Sequence, residues 1–549
     1  MPRPIVLLLA LFAAAVVAAG PPRAAAAPAP AASPAGGRPN IIVILLDDMG
    51  YSDLGCFGSE IRTPNIDALS RGGTRWRTFY NAAQCCPTRA SLMTGLYPHQ
   101  AGVGDMIDNH AKATRDAAAS PAYADHLAAN TVTIAEALRP AGYRTYMVGK
   151  WHLGSADGQR PVHRGFDRFF GITAGADSYW KPASLRDDDA PVREVPAGFY
   201  ATDAFTDRAI EYITTGDPAR PFFLYAAYNA PHAPFHAKPE DAARHKDAYR
   251  AGWGATRRDR FARQKALGLW PADAQLPASD PGAAEWAAAP EQLKLADRMA
   301  LYAALIDNVD QNVGRLMAAV RKTGAEDRTL VLLLSDNGAW ASRATYGRDW
   351  AEACNTPFRL FKVFAHEGGI ATPLIASWPG RIPAGALDAT HYGHVKDILA
   401  TCLDAAGAAY PRERAGTAVV PHEGRSLLPA LCGRKDVPAD EPVYWERRGN
   451  EAMRDGRWKI VRAYGQPVGD PGEAVDGPRV GRWELYDLAA DPFEAHDLAG
   501  TETARVAGMA RRHADWAARV GVVPREEIVR RIAAAAAATK PSAATKPSP

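Results

Sequence analysis

Cysteine is scarce, with six in 549 residues, at positions 56, 85, 86, 354, 402 and 432. That is too sparse for a disulfide scaffold, and the spacing fits no zinc pattern. If any bridge forms, Cys402 with Cys432 is the expected pair. No block of lysine or arginine occurs, and 64 basic against 61 acidic residues leave a net charge of +3. This excludes the electrostatic footprint of a nucleic-acid partner and makes any functional charge a local matter. No internal repeat is evident. The one long apolar run is Ile5–Ala19, after Met1-Pro2-Arg3 and before Ala/Pro/Gly-rich sequence to Gly37. It is short for a membrane span and has the layout of a signal peptide, so 1–37 are expected to be a leader. No cysteine for lipid attachment follows it. The expectation is export, to the periplasm or outside the cell, without stable membrane association.

The remainder has the 47% hydrophobic content of a chain able to bury a large core. Apolar, β-branched runs at Asn40–Leu46, Tyr143–Val148, Pro221–Asn229, Thr329–Ser335 and Pro373–Trp378 read as strands buried on both faces. Helical patterns alternate with them: a helix opened by Thr63-Pro64, a capping box at Thr133/Glu136, an amphipathic Asp203–Ile213 and a long Glu291–Arg321. The order predicts an α/β fold, a large, mostly parallel sheet flanked by helices, over 38–420. After Gly407 the composition turns polar. Short strands at 442–445, 451–454, 458–462 and 483–488, then helices from Glu502, predict a smaller C-terminal antiparallel α+β subdomain over 421–536. Residues 537–549 are low-complexity and expected to be disordered.

Acids stand at the ends of two core strands. Asp47-Asp48 follows the first run and Asp336-Asn337 the fourth, where open α/β sheets bind ligands. Adjacent carboxylates repel unless a cation lies between them, and an oxygen-loving divalent ion fits that need. Turn formation explains each pair equally well by itself. Lys150 and His152, two apart after the second strand, point one way if the chain stays extended. Pro231 and Pro234 hold His232 in a loop, and Lys362 heads a glycine-punctuated turn. The stretch 242–290 reads as a helical insertion, either at a substrate mouth or as a solvated face.

The segment Cys85-Cys86-Pro87-Thr88-Arg89 opens a helix. With Pro87 at its first position Cys86 would cap it, leaving Cys85 just outside, near the helix dipole, with Arg89 one turn away. Two cysteines at a buried helix start would look the same. Cys85-x-Pro87-x-Arg89 through Thr94-Gly95 resembles the signature of the type I, formylglycine-dependent sulfatases. Asp47-Asp48-x-Gly-Tyr, Gly149-Lys150-Trp151-His152 and His366-Glu367-Gly368-Gly369 resemble the bacterial arylsulfatases in particular, and the likeness runs from Pro39 to Leu498.

The resemblance implies an alkaline-phosphatase-like fold and hydrolysis of sulfate monoesters to alcohol or phenol plus sulfate. It implies that a formylglycine-generating enzyme converts Cys85 to Cα-formylglycine, whose hydrate attacks sulfur. Ca²⁺ would be held by Asp47, Asp48, Asp336, Asn337 and residue 85. Lys150 and Lys362 would bind sulfate oxygens, and Arg89 would steady the nucleophile. Asp336 would serve as base, His232 would protonate the leaving group and His152 would regenerate the aldehyde. The implied substrate is a small sulfate ester or a sulfated glycan. Two positions depart from the family pattern: Cys86 puts a second thiol beside the first, and His366 stands where many relatives carry an aromatic residue. The rival readings are a formylglycine-dependent phosphonate monoester or phosphodiester hydrolase and an exported binding protein of the same fold. Asp48 and Asn337 count against the hydrolase, which usually carries other metal ligands there.

Overall fold

The computed structural model describes residues 37–538 apart from 109–110, 280–284, 343–344, 435–436, 438–439 and 465–479. The expected signal peptide and the C-terminal low-complexity tail lie outside the described residues, save Gly37 and the join at 537–538. Ten strands form one sheet: β1 (Asn40–Leu46), β2 (Thr74–Tyr80), β3 (Arg144–Lys150), β4 (Arg168–Ile172), β5 (Leu185–Asp187), β6 (Ala190–Pro191), β7 (Phe222–Ala227), β8 (Thr329–Ser335), β9 (Ala371–Ser377) and β10 (Ala386–His394). Their order is β10-β2-β9-β8-β1-β7-β3-β4-β5-β6. From β8 through β1, β7 and β3 to β4 every pairing is parallel, whereas β9 runs against both of its neighbours. The fold is therefore the expected α/β one, with a mixed, mostly parallel sheet.

β1 lies between β8 and β7 and is buried along its whole length. Its alternate residues feed two cores: Ile42, Ile44 and Leu46 one face, Ile41, Val43 and Leu45 the other. Such two-sided burial is why the run is continuously apolar rather than alternating. The helix Pro290–Lys322 packs on the first face, and the helices Cys85–Thr94 and Asp397–Ala406 on the second. At the end of β3, Gly149 passes so close to β7 that a Cβ there would lie 1.9 Å from the Ala227 carbonyl oxygen. The capping box at Thr133 and Glu136 forms as expected, on the helix Ile134–Leu138.

A two-stranded ribbon, β11 (Glu413–Arg414) and β12 (Thr417–Ala418), precedes an antiparallel four-stranded sheet. That sheet comprises β13 (Val443–Arg447), β14 (Asn450–Asp455), β15 (Trp458–Arg462) and β16 (Glu484–Asp487). One of its faces (Trp445, Ala452, Val461, Tyr486) joins the large core; the other (Met453, Ile460, Leu485) takes Met509 of the helix Thr503–Val520.

Three expectations are corrected. The helix begins at Cys85, with Gln84 as its cap, so Cys85 lies inside the first turn rather than outside it. All six cysteines are free thiols, so Cys402 and Cys432 are not bridged. The insertion is not merely a solvated face: Arg260 of the helix Gly252–Ala266 is buried against Asp53 at 2.5 Å and Glu60 at 2.7 Å, pinning the loop after β1.

Candidate active site

Because β1, β3, β7 and β8 run parallel, their carboxyl ends deliver Asp47-Asp48, Lys150, His232 and Asp336-Asn337 to one place. β9 runs the other way, so the loop before it, carrying Lys362, arrives at the same end. The helix Cys85–Thr94, following β2, supplies Cys85 and Arg89. That loop is pinned by Lys362 N–H to the Ala339 carbonyl at 3.1 Å and by Val363 N–H to the Ala83 carbonyl at 2.8 Å. The Tyr179 hydroxyl, within hydrogen-bond distance of the Asn229 and His232 carbonyls, holds the histidine loop.

The charges interlock. Lys150 Nζ lies 2.6 Å from Asp47 Oδ2, and Lys362 Nζ 2.7 Å from Asp48 Oδ1. Arg89 donates through Nε and Nη2 to Asp336 Oδ2, at 3.1 and 2.8 Å, and its Nη2 is 3.6 Å from Asp47. Asp48 N–H donates to Asp336 Oδ1 at 3.1 Å, and Asn337 Nδ2 to Asp48 Oδ1 at 2.6 Å. All of these side chains are buried. Burial, with Asp47 beside it, pushes the Asp336 carboxyl up to about 6 in spite of Arg89. Burial opposes charge on Lys362 too, yet Asp48, Cys85 and Asp47 hold it firmly protonated. Asp48 and His152 sit in the left-handed region, at φ 64° and 54°, a strain that clusters at functional sites. The chain past Lys150 is thus not extended, and both side chains still reach the site because His152 turns back.

Among these site residues three buried oxygens have no hydrogen-bond partner: Asp47 Oδ1, Asp48 Oδ2 and Asn337 Oδ1. Buried acceptors left unsatisfied are costly. A hard cation taking several oxygen ligands satisfies all three, so the donor set fits calcium. His232 Nε2 stands 3.4 Å from Asp48 Oδ2, and Asp47, Asp48 and His232 offer ligand atoms within 4.8 Å of one another.

Cys85 is 1% exposed. Its thiol is held well below the ordinary range, first by a hydrogen bond with Cys86, against burial, and then by Lys150, Lys362 and His152. Met106 Sδ covers both cysteines, 3.8 Å from Cys85 Sγ and 3.3 Å from Cys86 Sγ. His366 faces away from this cluster, 3.5 Å from Glu484 of the C-terminal sheet.

Sequence reasoning missed two residues. Asp108 lies 2.9 Å from His152 Nε2, leaving Nδ1 without a hydrogen-bond partner among the described residues. Burial lowers the His152 pKa, but the Asp108 hydrogen bond and charge outweigh it, so the net shift is upward. No pattern marks Asp108; only the fold brings it to His152. Trp340 stacks on His232 with centroids 5.2 Å apart, and Lys362 Nζ lies 5.0 Å from its ring. An aromatic four residues beyond Asp336 was a usable signal for it. Because Asp108 raises the His152 pKa, Asp108→Asn is expected to lower it. An NMR titration of His152 unchanged by the substitution would exclude that coupling.

Residues 39–408 match the family described as Sulfatase. The chain belongs to the Sulfatase family. It is 34% identical to an arylsulfatase of Klebsiella aerogenes, over 71% of this chain and 91% of the relative. It is 30% identical to an uncharacterized sulfatase of Schizosaccharomyces pombe, over 84% and 90% of the two chains. Among solved structures it is similar to Ps i-CgsB in complex with k-i-k-neocarrahexaose, with 26% identity and a TM-score of 0.65 over 90% of this chain and 99% of that one. Membership makes the protein a hydrolase of sulfate esters. No helix among the described residues is long and apolar enough to cross a membrane.

Proposed function

We propose that this sulfatase, exported by its leader, cleaves sulfate monoesters of the arylsulfatase or sulfated-glycan type, with calcium bound and Cys85 converted to Cα-formylglycine. The carrying observation is the set of three orphaned oxygens on Asp47, Asp48 and Asn337, in a cluster that also holds three buried cations, Arg89, Lys150 and Lys362. The saccharide alternative draws support from the glycan bound in the 26%-identical structure. Calcium, held by Asp47, Asp48, Asp336 and Asn337, supplies fixed positive charge for the ester's oxygens. Formylglycine, hydrated, supplies the nucleophile and a second hydroxyl.

The remaining roles belong to the side chains. Arg89 is locked on Asp336 and anchors the site electrostatically beneath residue 85. Lys150 and Lys362 balance Asp47 and Asp48 and are the ammonium groups available to equatorial sulfate oxygens. His232, braced by Trp340, is the proton donor for the departing oxygen. His152 turns Nε2 to Asp108 and keeps Nδ1 for a proton from residue 85. Asp336, oriented by Arg89 and the Asp48 N–H, is the base.

Adding calcium to chelator-treated protein is expected to raise its melting temperature, with about 2.7 kcal/mol of stabilisation at a hundredfold excess over Kd. Hydrolysis of para-nitrophenyl sulfate should return with it. Mass spectrometry of the peptide around residue 85 should show aldehyde in place of thiol. Active protein with an unconverted thiol would overturn the nucleophile, and calcium-indifferent stability and activity would overturn the metal.

A further inference from the structure

A cavity of about 810 Å³ lies between β2, β10, the stretch after the helix Gly252–Ala266, and the C-terminal sheet. None of the residues assigned above to the chemistry lines it. Two guanidinium groups on its wall have an arrangement that calls for an anion. Arg77, on β2, lies 5.1 Å over the Trp270 ring and gives one hydrogen bond, to the Ala389 carbonyl. Arg454, on β14, lies 4.0 Å over Tyr392 and donates to the Tyr80 hydroxyl and the Gly456 carbonyl. Neither has an ion-pair partner among the described residues.

Three of the four acids on the same wall are already committed; the fourth, Asp273, is exposed to solvent. Glu367 is paired with Lys459 at 2.7 Å, Asp440 with Arg425, and Asp491 accepts from the backbone N–H groups of Ala495 and His496. Burial depresses the Arg77 pKa, Tyr51 and Asp388 opposing it and the neighbouring positive charge of Arg454 adding to it. A guanidinium packed against an aromatic ring can still turn its remaining N–H groups to a planar or tetrahedral oxyanion. The volume lies within the roughly 300–1,000 Å³ range of small-molecule sites and far exceeds one inorganic anion. Trp270, Tyr392 and Phe493, each largely buried, add what apolar surface they leave open beside the charges.

We propose that this cavity is a second, non-catalytic binding site for a sulfated saccharide, whose sulfate is gripped by Arg77 and Arg454 and whose ring rests on the aromatic wall. The saccharide half of the proposal rests on the sulfate-ester reading above; the anion half rests on the two guanidiniums. Such a site would hold a polymeric substrate on the enzyme between turnovers and raise its local concentration.

The test is calorimetric titration of the full chain carrying Cys85→Ala with a chondroitin-sulfate tetrasaccharide, its desulfated counterpart and inorganic sulfate. Two binding events are expected for the tetrasaccharide. Adding Arg77→Gln should weaken one of them about tenfold, the loss of one charge-assisted hydrogen bond. Ala490→Trp, at an exposed position on the rim, should do the same by filling the space. With Cys85 retained, Arg77→Gln should leave para-nitrophenyl sulfate turnover within about twofold. Unchanged saccharide binding in both variants would overturn the site. Equal affinity for inorganic sulfate or for the desulfated sugar would overturn its assignment to a sulfated saccharide. If the parent protein hydrolyses no sulfate ester and still shows Arg77-dependent binding, the catalytic reading fails and this one stands.

Discussion

Cys85→Ala is expected to abolish sulfate-ester turnover, by a factor on the order of 10⁴ or more, as removal of a hydrolase nucleophile does. Alanine cannot be converted to the aldehyde. The effect on folding should be small. The residue is buried against Cys86 and Met106 in the second core. The substitution removes a single sulfur atom from a first helical turn whose backbone bonds stay in place, including Thr88 N–H to the Gln84 carbonyl at 2.9 Å. A cost of about 1 kcal/mol follows for one small buried group. Turnover of para-nitrophenyl sulfate and thermal unfolding measured side by side check it. Appreciable turnover in a folded variant would remove residue 85 from the chemistry.

Lys150→Ala is the second large effect, and it acts on stability as well as rate. Lys150 is fully buried and its ammonium is 2.6 Å from Asp47. Removing one partner of a buried pair costs about 3–5 kcal/mol, because the other charge is left without compensation. Arg89, 3.6 Å from the same Asp47 oxygen, moderates this, which places the loss near the lower figure, about 3 kcal/mol. Bound calcium would supply the missing positive charge, so the destabilisation should shrink when calcium is added. The rate loss should persist at roughly 10²–10³-fold, the size seen when one fixed charge-stabilising donor is removed. Denaturant unfolding with and without calcium, paired with kcat, separates the two. A stability loss identical in both conditions would show that Lys150 balances the fold and not the metal-binding acids.

Much of this was legible in the chain. The strand Thr329–Ser335 appears with the expected bounds, because a run buried on both sides must be continuously apolar. The helix predicted from Glu291 to Arg321 is observed as Pro290–Lys322. Acids immediately after core strands pointed to the carboxyl edge of the sheet, where they stand. Capping was read less well at Cys85, since Pro87 is also tolerated within the first turn, where its missing N–H has no intrahelical partner in any case. The Cys402–Cys432 pairing rested on export and spacing alone, and neither reports how far apart two thiols fold.

The linear order of residues determined the strand and helix succession, the polarity of each strand's end and the inventory of acids, lysines and histidines, because these depend on local periodicity and on neighbours along the chain. Tertiary structure alone decided which lysine answers which aspartate, that Asp108 governs His152, that Trp340 braces His232, and that Arg77 and Arg454 share a cavity away from the chemistry. Those outcomes depend on distances between segments up to several hundred residues apart, and on which charges burial leaves without a partner.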